Sequence, residues 1–372
     1  MASTTELTLA LVGDIGLGGD VRRVLEERGP AFLFDPLRPA LDRADVRLGN
    51  LECCFVDPGR VPVWRGLRMA VPAASGKGLG GTGFEILSLA NNHVMDAGPE
   101  GLASTRDLLD REGIVHFGAG RDLEEAERTV YFETGGRRLA LLGACDASYH
   151  FAGPSRPGIA PLRLRRLGSR VRAAAREADL VVVALHADLE FSRWPSVPRV
   201  RDSRWLVEQG AHHVWSHHPH VYQGVELHRG GFIAYSTGNL VFDVVHNEYL
   251  RGRPDMTETF VLLVTVAFGG GGPAFRWEAI PARVSPDHRP VPAEEAELLQ
   301  RLRSLSNDLA VASRLRRAWR ERARSELRRE AKTLFYALRR FDLGLSARTV
   351  ARVFLRPQDR RWLLGALSGG RL

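Results

Sequence analysis

Long apolar runs are missing from this 372-residue chain. No window approaches the roughly 18–20 uninterrupted apolar residues that a membrane-spanning helix requires, so no span is expected. Cysteine is scarce as well. Cys53 and Cys54 are adjacent, which does not suit a simple bridge, and Cys145 has no obvious mate, so no disulfide framework is expected. Residues 1–6 carry neither a basic stretch nor an apolar one; no export signal is expected, and the simplest location is the cytoplasm. Histidine and acid are missing from one end. Residues 301–372 have no histidine and only 6 Asp plus Glu against 19 Lys plus Arg. Residues 1–300 hold all twelve histidines and 38 Asp plus Glu against 33 Lys plus Arg. The formal +8 thus hides a body of net −5 and a tail of net +13. Chemistry and positive charge sit in different places.

What is present is an ordinary soluble composition, 44% apolar and 26% charged, with length for two or three units. Short apolar runs of strand length end repeatedly in polar residues. Residues 7–12 run out at Gly13 and Asp14, before a helix from Val21. Such a strand delivers a carboxylate where open α/β sheets keep their ligand sites. The glycines of 13–19 are not followed by the Gly-Lys-Ser/Thr of a phosphate loop, and Asp20 reads equally as a helix N-cap or a ligand. The strand signal of 44–55 carries Asn50 and Glu52, the latter a solvated carboxylate or a ligand. Residues 84–89 lead into Asn91, Asn92 and His93, which read as turn chemistry or as ligands. The Val-rich run 180–185 is typical of a strand covered on both faces, and it ends in His186, Asp188 and Glu190.

Five of the twelve histidines fall within residues 211–220. His218 and His220, two apart around Pro219, can point two ring nitrogens at one small volume, and imidazole is the commonest protein metal ligand. His212 and His213 read as ordinary strand residues. Asp14, Glu52, Asn92–His93, His186 and His218–His220 each lie just beyond a predicted strand. Carboxylate oxygen, amide oxygen and imidazole nitrogen together form the ligand set of Mn, Fe or Zn pairs that perform hydrolysis.

The motifs also carry a resemblance. Gly13-Asp14, Asn50-Leu51-Glu52, residues 89–96 (Leu-Ala-Asn-Asn-His-Val-Met-Asp), His186 with Glu190, residues 217–223 (His-His-Pro-His-Val-Tyr-Gln) and residues 235–243 occur in this order. Over roughly residues 5–285 the chain resembles the CapA (poly-γ-glutamate capsule biosynthesis) family, a branch of the calcineurin-like metallophosphoesterases. The resemblance implies an α/β fold, a four-layer sandwich of two mixed sheets flanked by helices, holding one or two divalent metal ions (Mn, Fe or Zn). Position by position, it implies that Asp14 binds a first metal, that Glu52 bridges, and that Asn92, His186 and His218 hold a second. His220 returns to the first. His93 protonates or stabilises the leaving oxygen, with Asp96 orienting it. Glu190, His217 and Asn239 stand beside the ligands or the substrate. A metal-bound hydroxide would attack a phosphoester or γ-glutamyl-type amide; the alternative is a non-catalytic assembly or scaffold protein of capsule-polymer synthesis or export. Two departures stand out. Gly16 occupies the place where the superfamily carries the histidine of Asp-x-His, and Ala187-Asp188 replaces a Trp-Gly pair.

Outside the site, residues 57–83 are broken by proline and glycine and read as a loop over it. Residues 281–292 contain four prolines and read as a linker. Two units are therefore expected, a CapA-like domain over 1–285 and an Arg-rich helical extension over 293–372. The extension is either a solvated helix packed on the acidic body or a contact for a membrane surface or polyanion. Expected partners are an anionic polymer or phosphorylated substrate, with peripheral membrane contact through 293–372 and no nucleic acid.

Overall fold

Two apolar strands set the layering. In β1 (Glu6–Ile15), Leu7, Leu9 and Leu11 enter one core cluster while Ala10 and Val12 enter another. In the strand Leu180–His186, Leu180, Val182 and Ala184 join that first cluster, and Val181, Val183 and Leu185 join a third. Period two sends alternate side chains to opposite faces of a sheet, so both strands are covered on both sides.

The structure, a computed structural model, describes residues 5–57, 69–147, 150–244, 254–269, 272–294 and 296–339. After β1 come β2 (Val46–Leu51), β3 (Cys54–Val56), β4 (Ala70–Pro72), β5 (Ile86–Ser88), β6 (Val115–Phe117), β7 (Ala119–Gly120), β8 (Val130–Thr134) and β9 (Arg137–Cys145). Next are β10 (Gly158–Ile159), β11 (Leu180–His186), β12 (His213–His217), β13 (Val225–His228), β14 (Gly231–Ala234) and β15 (Asn239–Val241). The last strands are β16 (Glu258–Gly269), β17 (Gly272–Val284) and β18 (Pro290–Pro292). The helices are α1 (Asp20–Phe34), α2 (Arg38–Leu41), α3 (Gly98–Arg111), α4 (Leu123–Ala126), α5 (Leu164–Ala174), α6 (Val197–Glu208), α7 (Ala296–Leu309) and α8 (Ala312–Arg339).

One large sheet runs β18-β17-β16-β1-β2-β5-β6, with β15 beside β1; the other runs β13-β14-β12-β11-β9-β8. Both are mixed: β1, β2, β5 and β6 are mutually parallel, as are β9, β11, β12 and β14, while the outer partners run antiparallel. The cluster shared by β1 and β11 fills the space between the sheets. Helices α1 and α3 cover the far face of the first sheet, and α5 and α6 that of the second. The result is the four-layer α/β sandwich. Trp215 of β12 stitches the sheets together, its indole N–H donating to the Val12 carbonyl at 3.1 Å. Gly13 is needed at another close approach, because a Cβ there would lie 2.0 Å from the Gly238 carbonyl oxygen.

Two sequence expectations change. The proline-rich stretch 281–292 is not a linker: β17 continues to Val284 and β18 pairs with it antiparallel. The strand β18 is at the sheet edge, where a proline's missing N–H leaves no ladder bond unmade. The helical pattern after it divides into α7 and α8, and Leu298, Leu302 and Leu305 of α7 are buried in the cluster between the sheets. Residues 58–68 of the loop expected over the site, and 340–372 of the extension, lie outside the described residues. Among the described residues no helix is long and apolar enough to cross a membrane.

Candidate metal centre

The strand ends at one edge of the two sheets gather the sequence-predicted residues. Asp14 lies near the end of β1, Glu52 just follows β2, and Asn92 and His93 follow β5. His186 closes β11, His217 closes β12, and His218 and His220 occupy the turn beyond it. Asn239 opens β15 and pairs with Asp14 across the ladder. Asp14, Glu52 and His186 are all buried, and each offers a ligand atom within 4.8 Å of the other two.

Two groups of donors flank Glu52. In the first, His186 Nε2 lies 2.6 Å from Asn92 Oδ1, 3.2 Å from His218 Nδ1 and 3.5 Å from Glu52 Oε1. In the second, Asp14 Oδ2 is 3.6 Å from His220 Nδ1, and His220 Nε2 is 3.9 Å from Glu52 Oε1. His217 Nδ1 stands 3.0 Å from Asp14 Oδ1, on the oxygen that also accepts from the Asn50 amide at 2.9 Å. Asn239 Oδ1 lies 2.9 Å from His220 Nδ1.

Burial dominates the electrostatics. It raises the Glu52 carboxyl well above its ordinary range, and the charges of Asp14, Glu190 and Asp96 push the same way. Burial works on Asp14 too, but the hydrogen bond from His217 and the surrounding imidazoles outweigh it and hold Asp14 well below the usual carboxylate range. Burial, reinforced by the neighbouring imidazole of His218, drives His186 well below the usual histidine range; burial also lowers His218. Neutral imidazoles keep a lone pair for a cation. Both Glu52 oxygens are buried without a hydrogen-bond donor among the described residues, as are Nε2 of His217 and Nε2 of His218. A buried carboxyl is held neutral, paired with a donor or bound to a metal; Glu52 has no donor among the described residues, and a cation would offset the burial that disfavours its charge. The donor set therefore fits a divalent cation.

His93 sits at the rim. Its Nδ1 is 2.9 Å from Asp96 Oδ2, which also accepts from the Met69 amide at 2.9 Å, and its Nε2 faces Glu52 Oε1 at 3.9 Å. A carboxylate on one ring nitrogen fixes the tautomer and leaves the other to face the site. The turn itself is strained, with His218 at φ 96° and His220 at φ 58°. Such left-handed positions cost about 1–3 kcal/mol each and cluster at functional sites. The loop after β11 braces them: the Phe191 amide donates to the Pro219 carbonyl at 2.8 Å, and its ring stacks on His220. Glu190, in the same loop, is close enough for its charge to act on Glu52 and His218.

Sequence reasoning gave Asn50 no role of its own, did not separate the parts of Asn91 and Asn92, and did not single out Asp146. Asn50 hands its amide to Asp14, and Asn91 holds Asn50 Oδ1 at 3.2 Å while its own oxygen accepts from the amides of His93 and Val94. Both lay in the strand-end motifs and could have been found there. Asp146 just follows β9, a further strand end; it is paired with the buried Arg199 at 2.9 Å, and its charge acts on His218. Asp20 is the first residue of α1 after Gly19, and its amide donates to Asp243 Oδ2 at 3.1 Å. Gly16 has a steric explanation. A Cβ there would lie 2.5 Å from Met69 Cε and 2.6 Å from the Phe242 ring, so those side chains occupy the space a ligand histidine would need.

The two mixed sheets thus bring carboxylate, amide and imidazole donors together at their strand ends. The chain belongs to the family described as bacterial capsule synthesis protein PGA_cap, whose family model matches residues 8–244. It is similar to the capsule biosynthesis protein CapA of Bacillus anthracis, at 30% identity over 64% of this chain and 60% of that protein. It is also similar to the PGA biosynthesis protein CapA of Bacillus subtilis, at 30% identity over 64% of this chain and 63% of that protein. The chain thus spans less than two thirds of the length of these relatives. Among solved structures, a 5'-nucleotidase precursor from Thermus thermophilus aligns with a TM-score of 0.41 at 17% identity, over 83% of this chain and 60% of that one.

Proposed function

We propose that the protein is a divalent-metal-dependent hydrolase of capsule-polymer synthesis, acting on a phosphoester or a γ-glutamyl-type amide. The observation that carries this reading is Glu52, a fully buried carboxyl without a hydrogen-bond donor among the described residues, set between two groups of histidine, amide and carboxylate donors. Asp14 and His220 would hold one ion; Asn92, His186 and His218 would hold a second, with Glu52 between. Mn, Fe or Zn suits this mixture of hard oxygen and imidazole nitrogen. When bound, such an ion polarises the scissile bond and makes water a nucleophile near neutral pH. The chain's own residues do the rest. Asp96 accepts from His93 Nδ1, so that Nε2 faces the site, where the imidazolium form would deliver its Nε2 proton to the leaving oxygen or nitrogen and return to the neutral ring held at Nδ1. Asn50 and His217 fix Asp14 from behind, and Phe191 closes over His220.

Metal analysis tests the reading. Stoichiometric Mn, Fe or Zn is expected in the wild-type protein and is lost in His218→Ala and His220→Ala. Inability to load any of these ions would sink it. A second reading, an assembly protein that keeps the fold without turnover, is favoured by Gly16, where Met69 and Phe242 fill the space of one ligand. Hydrolysis of an aryl phosphate that disappears in Asn92→Ala eliminates that alternative.

A further inference from the structure

Helix α8 lies outside the residues matched to the family, and its two faces differ sharply. Leu315, Trp319 and Ala323, spaced by four, are buried, and Trp319 and Ala323 form a small cluster with Leu189. Leu189 is three residues beyond His186 and directly precedes Glu190. The helix is therefore anchored on the loop that braces the metal centre. Its outer face carries Arg317, Arg320, Arg324 and Arg328, at the three- and four-residue spacing that aligns side chains along one side of a helix. This stripe spans about 16 Å at 1.5 Å per residue. Arg317 pairs with Glu321, and the Arg320 Nε donates to the Arg316 carbonyl.

We infer that this stripe is a docking track for a linear polycarboxylate, held beside the metal centre by the Trp319–Leu189 contact. The choice of occupant rests on the capsule-polymer reading above. Charge complementarity supports the track itself: residues 1–300 are net acidic, so a polyanion is repelled by the body and retained at the stripe. Guanidinium groups take carboxylates as two-pronged partners. A lipid surface fits less well. The apolar side chains at 315, 319 and 323 are turned inward, and only Phe335 offers a large exposed apolar side chain on the described part of the helix. Binding by base stacking is disfavoured because Trp319 is buried.

The test uses the full chain, because deleting the extension would strip Leu298, Leu302 and Leu305 from the core. Labelled poly-L-glutamate is titrated into wild-type protein and into a variant combining Arg317→Gln, Arg320→Gln, Arg324→Gln and Arg328→Gln. Wild-type binding is expected to weaken at least tenfold between about 50 and about 200 mM salt, and the variant to bind at least about tenfold more weakly at low salt. Metal content and thermal midpoint should stay unchanged, since the substituted side chains are largely exposed. Equal binding by the variant overturns the track. So does tighter retention of phosphatidylserine vesicles or of an oligonucleotide than of polyglutamate. Binding is measured on metal-free and metal-loaded protein alike. Polyglutamate binding with no metal uptake then counts against the hydrolase reading alone, and metal uptake with no polyglutamate binding counts against the track alone.

Discussion

The two sheets make unequal contributions to the candidate metal centre. The eight-stranded sheet supplies oxygen: Asp14 from β1, Glu52 from β2 and Asn92 beyond β5. The six-stranded sheet supplies nitrogen: His186 from β11 and His217, His218 and His220 from β12 and its turn. Neither sheet alone holds a complete donor set. The carboxylates without the imidazoles would repel one another in a buried space, and the imidazoles without the carboxylates would lack charge to hold a cation. The site exists because the apolar cluster between the sheets fixes their strand ends side by side.

Breaking the oxygen side at its centre should have the largest effect. Glu52→Gln removes the carboxylate between the two donor groups, and divalent-metal affinity should fall about 1,000-fold, near 4 kcal/mol. Calorimetric titration reads this directly. The same variant should unfold at a higher temperature than wild type when both are metal-free at neutral pH, because burial raises the Glu52 carboxyl well above its ordinary range, so folding must take up a proton there that the amide does not need. A lower metal-free midpoint would show that Glu52 is satisfied by protein groups.

Breaking the nitrogen side should cost less, because several imidazoles share the task. His218→Ala is expected to lower metal affinity about 100-fold, near 3 kcal/mol, in the same titration. A loss equal to that of Glu52→Gln would erase the asymmetry between the sheets.

The imidazole sheet should also be the acid-labile one, even away from the metal. His213 in β12 is pushed down to about 3 by burial and by the charge of His212. In the unfolded chain histidine titrates near 6.5, so between these values the unfolded state binds the extra proton. Stability is therefore intact at neutral pH and falls as the pH drops below about 6.5. By pH 5 the loss through this residue should reach about 2 kcal/mol. Urea midpoints at pH 7 and pH 5 should show that drop in wild type and a smaller one in His213→Leu.

The smallest effect is expected where the oxygen sheet lacks its histidine. Gly16→His should destabilise the fold by about 1–2 kcal/mol through overpacking against Met69 and Phe242, with no gain in metal affinity. Tighter metal binding by this variant would mean that those side chains yield and that the site is short of a ligand.

Much of this comparison could be read along the chain. An apolar run ending in Asp14, Glu52, Asn92 or His186 marks a strand whose polar terminus faces a common edge, and the rule needs no knowledge of neighbours. Applied once more it would have reached Asp146 after β9. It could not reach the arrangement among the residues. That His217 meets Asp14 while His186 meets Asn92 and His218 depends on sheet registers between segments far apart in the chain. The proline-rich stretch misled for a related reason: proline content marks missing donors, and only the position of β18 at an edge makes that harmless.

The sequence by itself determined which residue types stand at which strand ends, because alternation of apolar side chains and the point where it stops are local properties. It also determined that charge is divided between an acidic body and a basic extension. Packing in three dimensions settled that Glu52 has no donor among the described residues and lies between two groups, that Met69 and Phe242 fill the space beside Gly16, and that Trp319 anchors the basic helix on Leu189. Each of these depends on packing between segments distant in sequence, where shape and burial rather than local pattern decide which groups meet.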